Sequence, residues 1–468
     1  ESTAREAAEW LSSQLKADDG EDQTAVRAGH RYVPRLERID NSAAAHRTID
    51  LHKDASYLIT GGLGGLGLKI AAWMSGRGAG RLILLSRKKL PPRAEWNGIA
   101  PDTPEASWVR SIQDIESAGA VVEPVSVDVS DRDAMSGLFS RLRGDSSFPL
   151  RGIIHAAVQM SAYPLEKLTP EALAEMMRAK VEGGLLLDEF SRGMELDFFT
   201  MFSSTTSLWG AVGLAHYAAA NQMLDALAHR RRRDGLPAVS INWGTWEEMR
   251  IAGAADKELF QQAGLNTIPV DRALKLLEQL LLWRDPQVCV AAVDWQRLRS
   301  VYEARRGRPF FEKMGTAAAQ STRVLAGDGG ALKRALETAS KERWADILIA
   351  HLKRCVQQVL RLDNADQAIA DRGLFEMGMD SLMAVELKSR LEIDTGLSLP
   401  STLAFNYPTI NDLAGYLVEQ LSPQEIPLKP ERAAESASAP ASGSLPASDA
   451  LSEDELSELL VRKLRELK

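Results

Sequence analysis

Residues 60–67 read Thr-Gly-Gly-Leu-Gly-Gly-Leu-Gly. After Thr60, Gly61, Gly62, Gly64, Gly65 and Gly67 carry no side chain, and only Leu63 and Leu66 interrupt them. The GxGxxG spacing falls on Gly62, Gly64 and Gly67. Before it lies the apolar run SYLIT, and after it LKIAAWMSGRG, a helical pattern. Strand, bare loop and helix start in that order suit a pyrophosphate: the turn is tight, the backbone can be touched, and the positive end of the helix faces the anion. The next strand ends in Ser86-Arg87, about twenty residues on, where an NAD protein offers Asp or Glu to the ribose hydroxyls. An Arg there can pair with a 2′-phosphate, which favours NADPH over NADH. The third strand ends in SVDVSD and places Asp128 to hydrogen-bond the adenine edge.

Such a loop needs a frame. Between about Ser56 and Ala292 the runs SYLIT, RLILLSR, VVEPVSVDV, RGIIHAAV, DFFTMFSS, PAVSINWG and QVCVAAV alternate with helical stretches. Strands spaced in that way make βαβ units, hence an α/β, doubly wound parallel sheet. Ahead of it, residues 1–48 contain a hairpin pattern around Ala28-Gly29, too small for its own core. The main domain is expected over 49–314, a linker over 315–340, and a unit of four short helices over 341–421. Residues 422–450 hold five prolines and no aromatic residue, the composition of a flexible tether. Residues 451–468 form a helix pattern with a Ser452/Glu455 capping box and a stripe of Leu456, Leu459, Leu460, Leu464 and Leu467 that needs a partner surface.

The chain of 468 residues is longer than one core usually serves, with 45% hydrophobic and 26% charged residues. No run approaches the roughly 18–20 apolar residues of a membrane span. Cys289 and Cys355 are the only cysteines and show neither CxxC nor Cys/His ligand spacing, so neither disulfide nor metal is expected and a reducing cytoplasm fits. The N-terminus shows no signal-peptide pattern and no initiator Met, and reads as a fragment of something longer. The net charge of −8 argues against nucleic acid as a partner. The run HRRRRDG at 229–235 is expected to be the solvated C-terminal end of a helix.

TGGLGGLG, IIHAAV, FSS followed thirteen residues later by YAAAN, and INWG together resemble the ketoreductase of a modular polyketide synthase, a branch of the short-chain dehydrogenase/reductases with a Rossmann-like sheet. The likeness covers roughly residues 50–300. It implies that Tyr217 protonates the oxygen of a 3-ketoacyl thioester, that Ser204 rather than Ser203 hydrogen-bonds that oxygen, and that Lys180 in MMRAKVEGG holds the ribose and lowers the Tyr217 pKa. Asn221, four residues after Tyr217, would order a water relay. Thr60, Ser86, Arg87, Asp128, Val129, His155, Ala156, Ala157 and Gly244 would line the cofactor, and residues 247–266 would form a lid. Val158 replaces the usual Gly, and the acidic pair is absent at Met160-Ser161-Ala162. With Trp209 eight residues before Tyr217, the pattern is similar to the A-type, which sets an L-hydroxyl; Leu214 stands where some A-type members have His.

FEMGMDSLMAVEL and FNYPTINDLAGYL resemble an acyl carrier protein. The likeness implies that Ser381, behind Asp380 at a helix start, carries 4′-phosphopantetheine. Residues 371–421 hold eight acids against three bases, which suits docking on basic faces. The whole reads as the end of a polyketide synthase module whose C-terminal helix finds a downstream subunit. The rival reading is a carrier and docking scaffold with a silent reductase, to which Val158 lends support.

Overall fold

The computed structural model describes residues 4–17, 19–39, 49–247, 260–261, 263–304, 306–314, 329–360, 362, 364, 367–379, 381–400 and 402–421. The tether and the C-terminal helix pattern lie outside them. The chain divides into two units, residues 39–298 and residues 1–38 with 299–468.

In the second of these, helix α1 (Ala4–Lys16) precedes a hairpin of β1 (Ala25–Arg27) and β2 (His30–Tyr32). Ala28 and Gly29 both adopt positive φ, as the tight two-residue hairpin turn demands. The helix was not foreseen. The segment is tied to residues further along: Arg35 bridges Glu21 at 2.5 Å and Glu312 at 2.9 Å, Arg308 reaches Asp22 at 3.1 Å, and the Leu36 N–H donates to the Phe310 carbonyl at 2.9 Å. Residues 299–314, expected with the reductase pattern, therefore group with the N-terminal segment.

The unit 39–298 is built on a sheet of β3 (Ser56–Thr60), β4 (Arg81–Ser86), β5 (Val121–Ser126), β6 (Leu150–His155), β7 (Phe198–Ser204), β8 (Val239–Trp243) and β10 (Gln287–Val290). Its order is β10-β8-β7-β6-β3-β4-β5 and every pairing is parallel. The expected strand at 287–293 splits, because β11 (Ala292–Val293) turns away to pair antiparallel with β9 (Leu265–Asn266). Every residue of β3, β7 and β8 is buried, as a sheet covered on both faces requires. The covering helices are α2 (Gly65–Gly76), α3 (Pro104–Ser117), α4 (Arg132–Gly144), α5 (Pro170–Met177), α6 (Gly183–Ser191), α7 (Thr206–Trp209), α8 (Ala215–Arg233) and α9 (Val270–Leu281), with α10 (Trp295–Tyr302) beyond. Thr103, Asp131 and Thr169 cap α3, α4 and α5 by accepting from the N–H three residues on. The winding direction reverses between β3 and β6, whose last residues Thr60 and His155 stand side by side. In open parallel sheets, ligands bind in the crevice such a reversal leaves.

The carrier-like region contains α11 (Gly329–Thr338), α12 (Trp344–Leu360), α13 (Ser381–Thr395), α14 (Leu403–Asn406) and α15 (Ile410–Leu421). Four of these match the expected helices. The fifth, α11, falls where a linker was expected: Leu332 and Leu336 are buried in the same core as Leu348, Leu352, Leu387, Leu391 and Leu413, so the packed region begins earlier than its periodicity suggested. One polar group is built into this core. The His351 Nε2 meets the Asp394 carboxylate at 2.9 Å, and the Cys355 Sγ lies 3.4 Å from the same nitrogen. Spacing alone concealed this cluster, because Asp394 comes from a different helix.

The arginine run at the end of α8 is not simply solvated. Arg231 is 1% exposed; it donates to Asp188 at 2.6 Å and to the Pro237 carbonyl at 3.2 Å, and its guanidinium lies 3.9 Å from the Phe199 ring centroid. Arg230 also donates to Asp188, at 2.6 Å, and Arg232 to the Ala238 carbonyl at 2.7 Å. Arg231→Leu leaves Asp188 short of its innermost partner and should cost about 3–5 kcal/mol. Arg233→Ala, at an exposed position, should stay within about 0.5 kcal/mol. Chemical denaturation of the two variants checks this, and equal losses would contradict the buried role.

Candidate active site

The glycine loop connects β3 to α2 at the reversal point. Gly61 has φ +69°, and a Cβ on Gly62 would stand 2.7 Å from the Leu84 Cα and Cβ. A Cβ on Gly67 would strike the Gly61 carbonyl, whereas one on Gly65 would meet nothing within 4 Å. The loop thus separates two demands. Gly62 and Gly67 are bare so that strand and helix can pack, and Gly65 leaves open space at the first turn of α2. Gly64 caps that helix without any side-chain bond to its N–H groups. An uncapped helix start beside open space fits a pyrophosphate.

Around the loop, the expected cofactor residues divide. Arg87 is exposed and donates to Gln159 at 2.9 Å, while the Ser86 Oγ accepts from the Lys88 N–H. The Lys88 ammonium donates to the Leu63 carbonyl at 3.2 Å and stacks on Trp108, tying the strand end to the loop; it lies next to Arg87 in SRKK and was not singled out. One Asp128 oxygen accepts from the N–H and Oγ of Ser130. Val129 is buried, and a Cβ on Gly183 would come 2.6 Å from its Cγ1, so it serves packing. His155 also turns inward. The Thr60 Oγ1 accepts from the N–H groups of Ala156 and Ala157, each at 3.1 Å, so its own hydrogen goes to the His155 Nδ1 at 2.8 Å. The ring proton is then on Nε2 and is donated to the Lys180 carbonyl at 3.0 Å. With both nitrogens spent on the protein, His155 orders the site from behind and offers no nitrogen to a ligand. The Gly244 N–H donates to the Val290 carbonyl at 2.8 Å.

Lys180, Ser204, Tyr217 and Asn221 come together at the ends of β7 and α8. Lys180 is 3% exposed and sits in a π-helical turn, Arg178–Glu182, between α5 and α6. A π turn inserts one residue into a helix and re-aims its side chains. The Lys180 Nζ donates to the Phe202 carbonyl at 2.7 Å and stands 5.6 Å from the Tyr217 ring centroid. The Asn221 Nδ2 donates to the Tyr217 carbonyl at 2.7 Å, and its buried Oδ1 meets no donor among the described residues. Ser204 and Ser203 separate clearly: the Ser203 Oγ donates to the Asn221 carbonyl and accepts from Asn242, whereas the Ser204 Oγ donates to the Thr206 Oγ1 at 3.0 Å, accepts from the Thr206 N–H at 3.2 Å, and acts on the Tyr217 phenol. Trp209 is buried edge-on to Trp295, 6.2 Å between centroids. Of the expected lid, residues 248–259 lie outside the described residues. At its near end Trp246 is fully buried against Trp243, 4.9 Å between centroids. On the carrier-like region, α13 opens on Ser381, and Asp380 lies outside the described residues.

The electrostatics differ from expectation at one point. Burial raises the Tyr217 phenol above its ordinary value, with the Ser204 and Asn221 side chains opposing it; the nearby lysine alone would lower it. Burial also pulls the Lys180 amine down to about 7, against the attraction of Asp225. His155 falls to about 4, through burial first and then the Lys180 charge. The consequences for stability follow by linkage. Between pH 4 and 6.5 the unfolded chain binds a proton on His155 that the folded chain refuses, and between pH 7 and 10.5 the same holds for Lys180. Folding stability should therefore rise with pH through each window. His155→Gln should flatten the acid rise and Lys180→Met the alkaline one in denaturant titrations at stepped pH.

The chain is similar to known proteins in sequence and in fold. The KR domain family model matches residues 55–248, and the phosphopantetheine attachment site model matches residues 350–417. Erythronolide synthase EryA3 of Saccharopolyspora erythraea is 32% identical over 412 residues, which cover 88% of this chain and 12% of that protein. The ketoreductase PlmKR1, from the first module of phoslactomycin biosynthesis in Streptomyces sp. HK803, is 37% identical with a TM-score of 0.55, over 66% of this chain and 67% of its own. A structure of A-type ketoreductases from a modular polyketide synthase is 30% identical with a TM-score of 0.58, over 65% and 61%. Among the described residues no helix is long and apolar enough to cross a membrane. A glycine loop alone is common to many folds, but a reductase followed in order by a carrier is not, and the chain belongs to the type I polyketide synthases as a portion bearing a short-chain dehydrogenase/reductase-type ketoreductase domain and a phosphopantetheine carrier domain.

Proposed function

We propose that the reductase domain reduces the β-ketone of a carrier-bound 3-ketoacyl thioester to a hydroxyl with NADPH, in the cytoplasm. The observation that carries this reading is the convergence of Lys180, Ser204, Tyr217 and Asn221 beside the reversal point. The uncapped start of α2, with open space at Gly65, would hold the pyrophosphate, and Arg87 would pair with the 2′-phosphate. The chemistry that bound NADPH would supply is a hydride for the ketone carbon. As the carbonyl π pair moves onto oxygen, Tyr217 breaks its O–H bond and gives that oxygen its proton. Ser204 hydrogen-bonds the same oxygen while its charge grows. A phenol raised by burial needs help to ionise, and the Lys180 ammonium beside the ring favours the phenolate that remains. The free Asn221 Oδ1 is suited to accept from a water that returns a proton to the phenolate.

Val158, which lent support to a silent reductase, is 44% exposed, and the neighbouring turn keeps both N–H bonds to Thr60. That supports the active reading. Ser381, opening α13, is the proposed point of attachment of 4′-phosphopantetheine. The C-terminal leucine stripe is proposed to engage a downstream synthase subunit.

The missing acidic pair at 160–162 and Trp209 support an A-type outcome, with the L-hydroxyl. Tyr217→Phe should reduce NADPH oxidation with a 3-ketoacyl thioester by at least about a hundredfold, and NADH should serve far less well than NADPH. Undiminished turnover by the Phe variant would refute the proton-donor role. Chiral chromatography of the hydroxyacyl product should return the L isomer, and a D product would reverse the stereochemical reading.

A further inference from the structure

Asp225 is a buried acid that the chemistry above leaves unused. It is 1% exposed and lies on α8 four residues beyond Asn221 and eight beyond Tyr217, on the same side of the helix. A carboxylate out of water must be hydrogen-bonded or paired. Three donors converge on it. The Ser240 Oγ reaches Oδ1 at 2.6 Å, and the Ser207 Oγ and Asn242 Nδ2 reach Oδ2 at 2.9 and 2.8 Å.

These bonds lead back into the site. The Asn242 amide also donates to the Ser203 Oγ at 3.0 Å, and that hydroxyl donates to the Asn221 carbonyl at 3.3 Å. The Gln287 Nε2 donates to the Asn242 Oδ1 at 3.1 Å, which fixes which end of the amide faces Asp225. One carboxylate therefore links the helix that carries Tyr217 and Asn221 to β8 and to the short helix that carries Trp209, and through the Asn242 amide to the strand that carries Ser204. Apolar side chains could pack the same helix on the same sheet without burying a charge. The Lys180 amine lies beside the Tyr217 ring and donates to the Phe202 carbonyl, and the His155 imidazole meets the Lys180 carbonyl; among the described residues Asp225 is the anion whose charge acts on the amine. The Asp225 charge acts on Lys180 through space, with no hydrogen bond between them, and helps to hold the Cys289 thiol protonated.

We propose that Asp225 is a positioning residue for the reductase, whose hydrogen bonds tie α8 to β8 and α7 and, through Asn242, to the end of β7, and whose charge favours the ammonium form of Lys180. This rests on the reading of Lys180, Ser204, Tyr217 and Asn221 as the reductase set.

The test compares the wild-type chain with Asp225→Asn and Asp225→Glu, using NADPH and a soluble 3-ketobutyryl thioester across pH 5.5 to 9.5. An ammonium requirement makes kcat fall as pH rises through the Lys180 titration. In Asp225→Asn that falling limb should move toward acid by about one pH unit, so that the loss is roughly tenfold at pH 8 and shrinks at low pH. Asp225→Glu keeps the charge and should keep the limb, even with lower kcat. A merely structural role predicts the same proportional loss at every pH. That pattern, or a limb displaced equally by Glu and Asn, overturns the proposal. Denaturant midpoints give a readout without turnover: the alkaline rise in stability that begins near pH 7 in the wild type should begin lower in Asp225→Asn. A wild type without turnover but with this displacement would sink the reductase reading and leave the Asp225–Lys180 coupling standing. Failure of the displacement in an active wild type would sink the coupling alone. Should Asp225→Asn not fold, a displaced limb in Asp225→Glu by itself decides against the proposal.

Discussion

An amine held beside a phenol in a dry interior poses the central physical problem of the reductase unit. Desolvation works against both groups, lowering the lysine and raising the tyrosine, so each loses the charge that would help the other. The surrounding architecture answers this with fixed dipoles. The Phe202 carbonyl at the end of β7 accepts from Lys180, and the π turn brings the side chain inward. The His155 ring beneath holds the turn by its carbonyl while staying neutral, so no second cation enters.

The sheet order makes this possible. Because winding reverses between β3 and β6, the ends of both strands open on one crevice, and the Thr60 hydroxyl spans it by bonding Ala156, Ala157 and His155. The glycine loop and the turn that carries Lys180 are thereby referred to a single hydrogen-bonded point. Small residues allow the approach: Gly183 meets Val129 and Gly184 meets Leu224, so α6 can sit close enough for the preceding turn to reach the site.

Much of this was readable in the chain. Buried parallel strands are continuous apolar runs, and the seven runs match the seven strands of the sheet, several of them read too long: VVEPVSVDV and RGIIHAAV run past the strand ends at Ser126 and His155, and the last runs past Val290, because a run of apolar residues cannot show a chain turning to another partner. Tyr217, Ser204, Asn221 and Lys180 were placed by motif, and the structure assembles them. The π turn left no mark, since it is a register change within an ordinary helical pattern. His155 and Val129 were assigned to the cofactor because they occur in the right strings, and only coordinates show which way a side chain faces. The arginine run looked solvated because charge is visible in sequence and a partner forty residues away, such as Asp188, is not. Helix α11 was hidden by the glycines that begin it, although Leu332 and Leu336 have helical spacing.

The His351–Asp394 pair has a bearing on how such synthases can be recombined. It joins α12 to α13 through the core, and a buried polar pair contributes less to stability than to fixing one alignment of its helices. Grafting in a helix that lacks Asp394 would leave the buried His351 Nε2 with only the Cys355 thiol beside it among the described residues. The two helices are therefore one unit of exchange, and a chimeric junction is tolerated outside the pair rather than between its members.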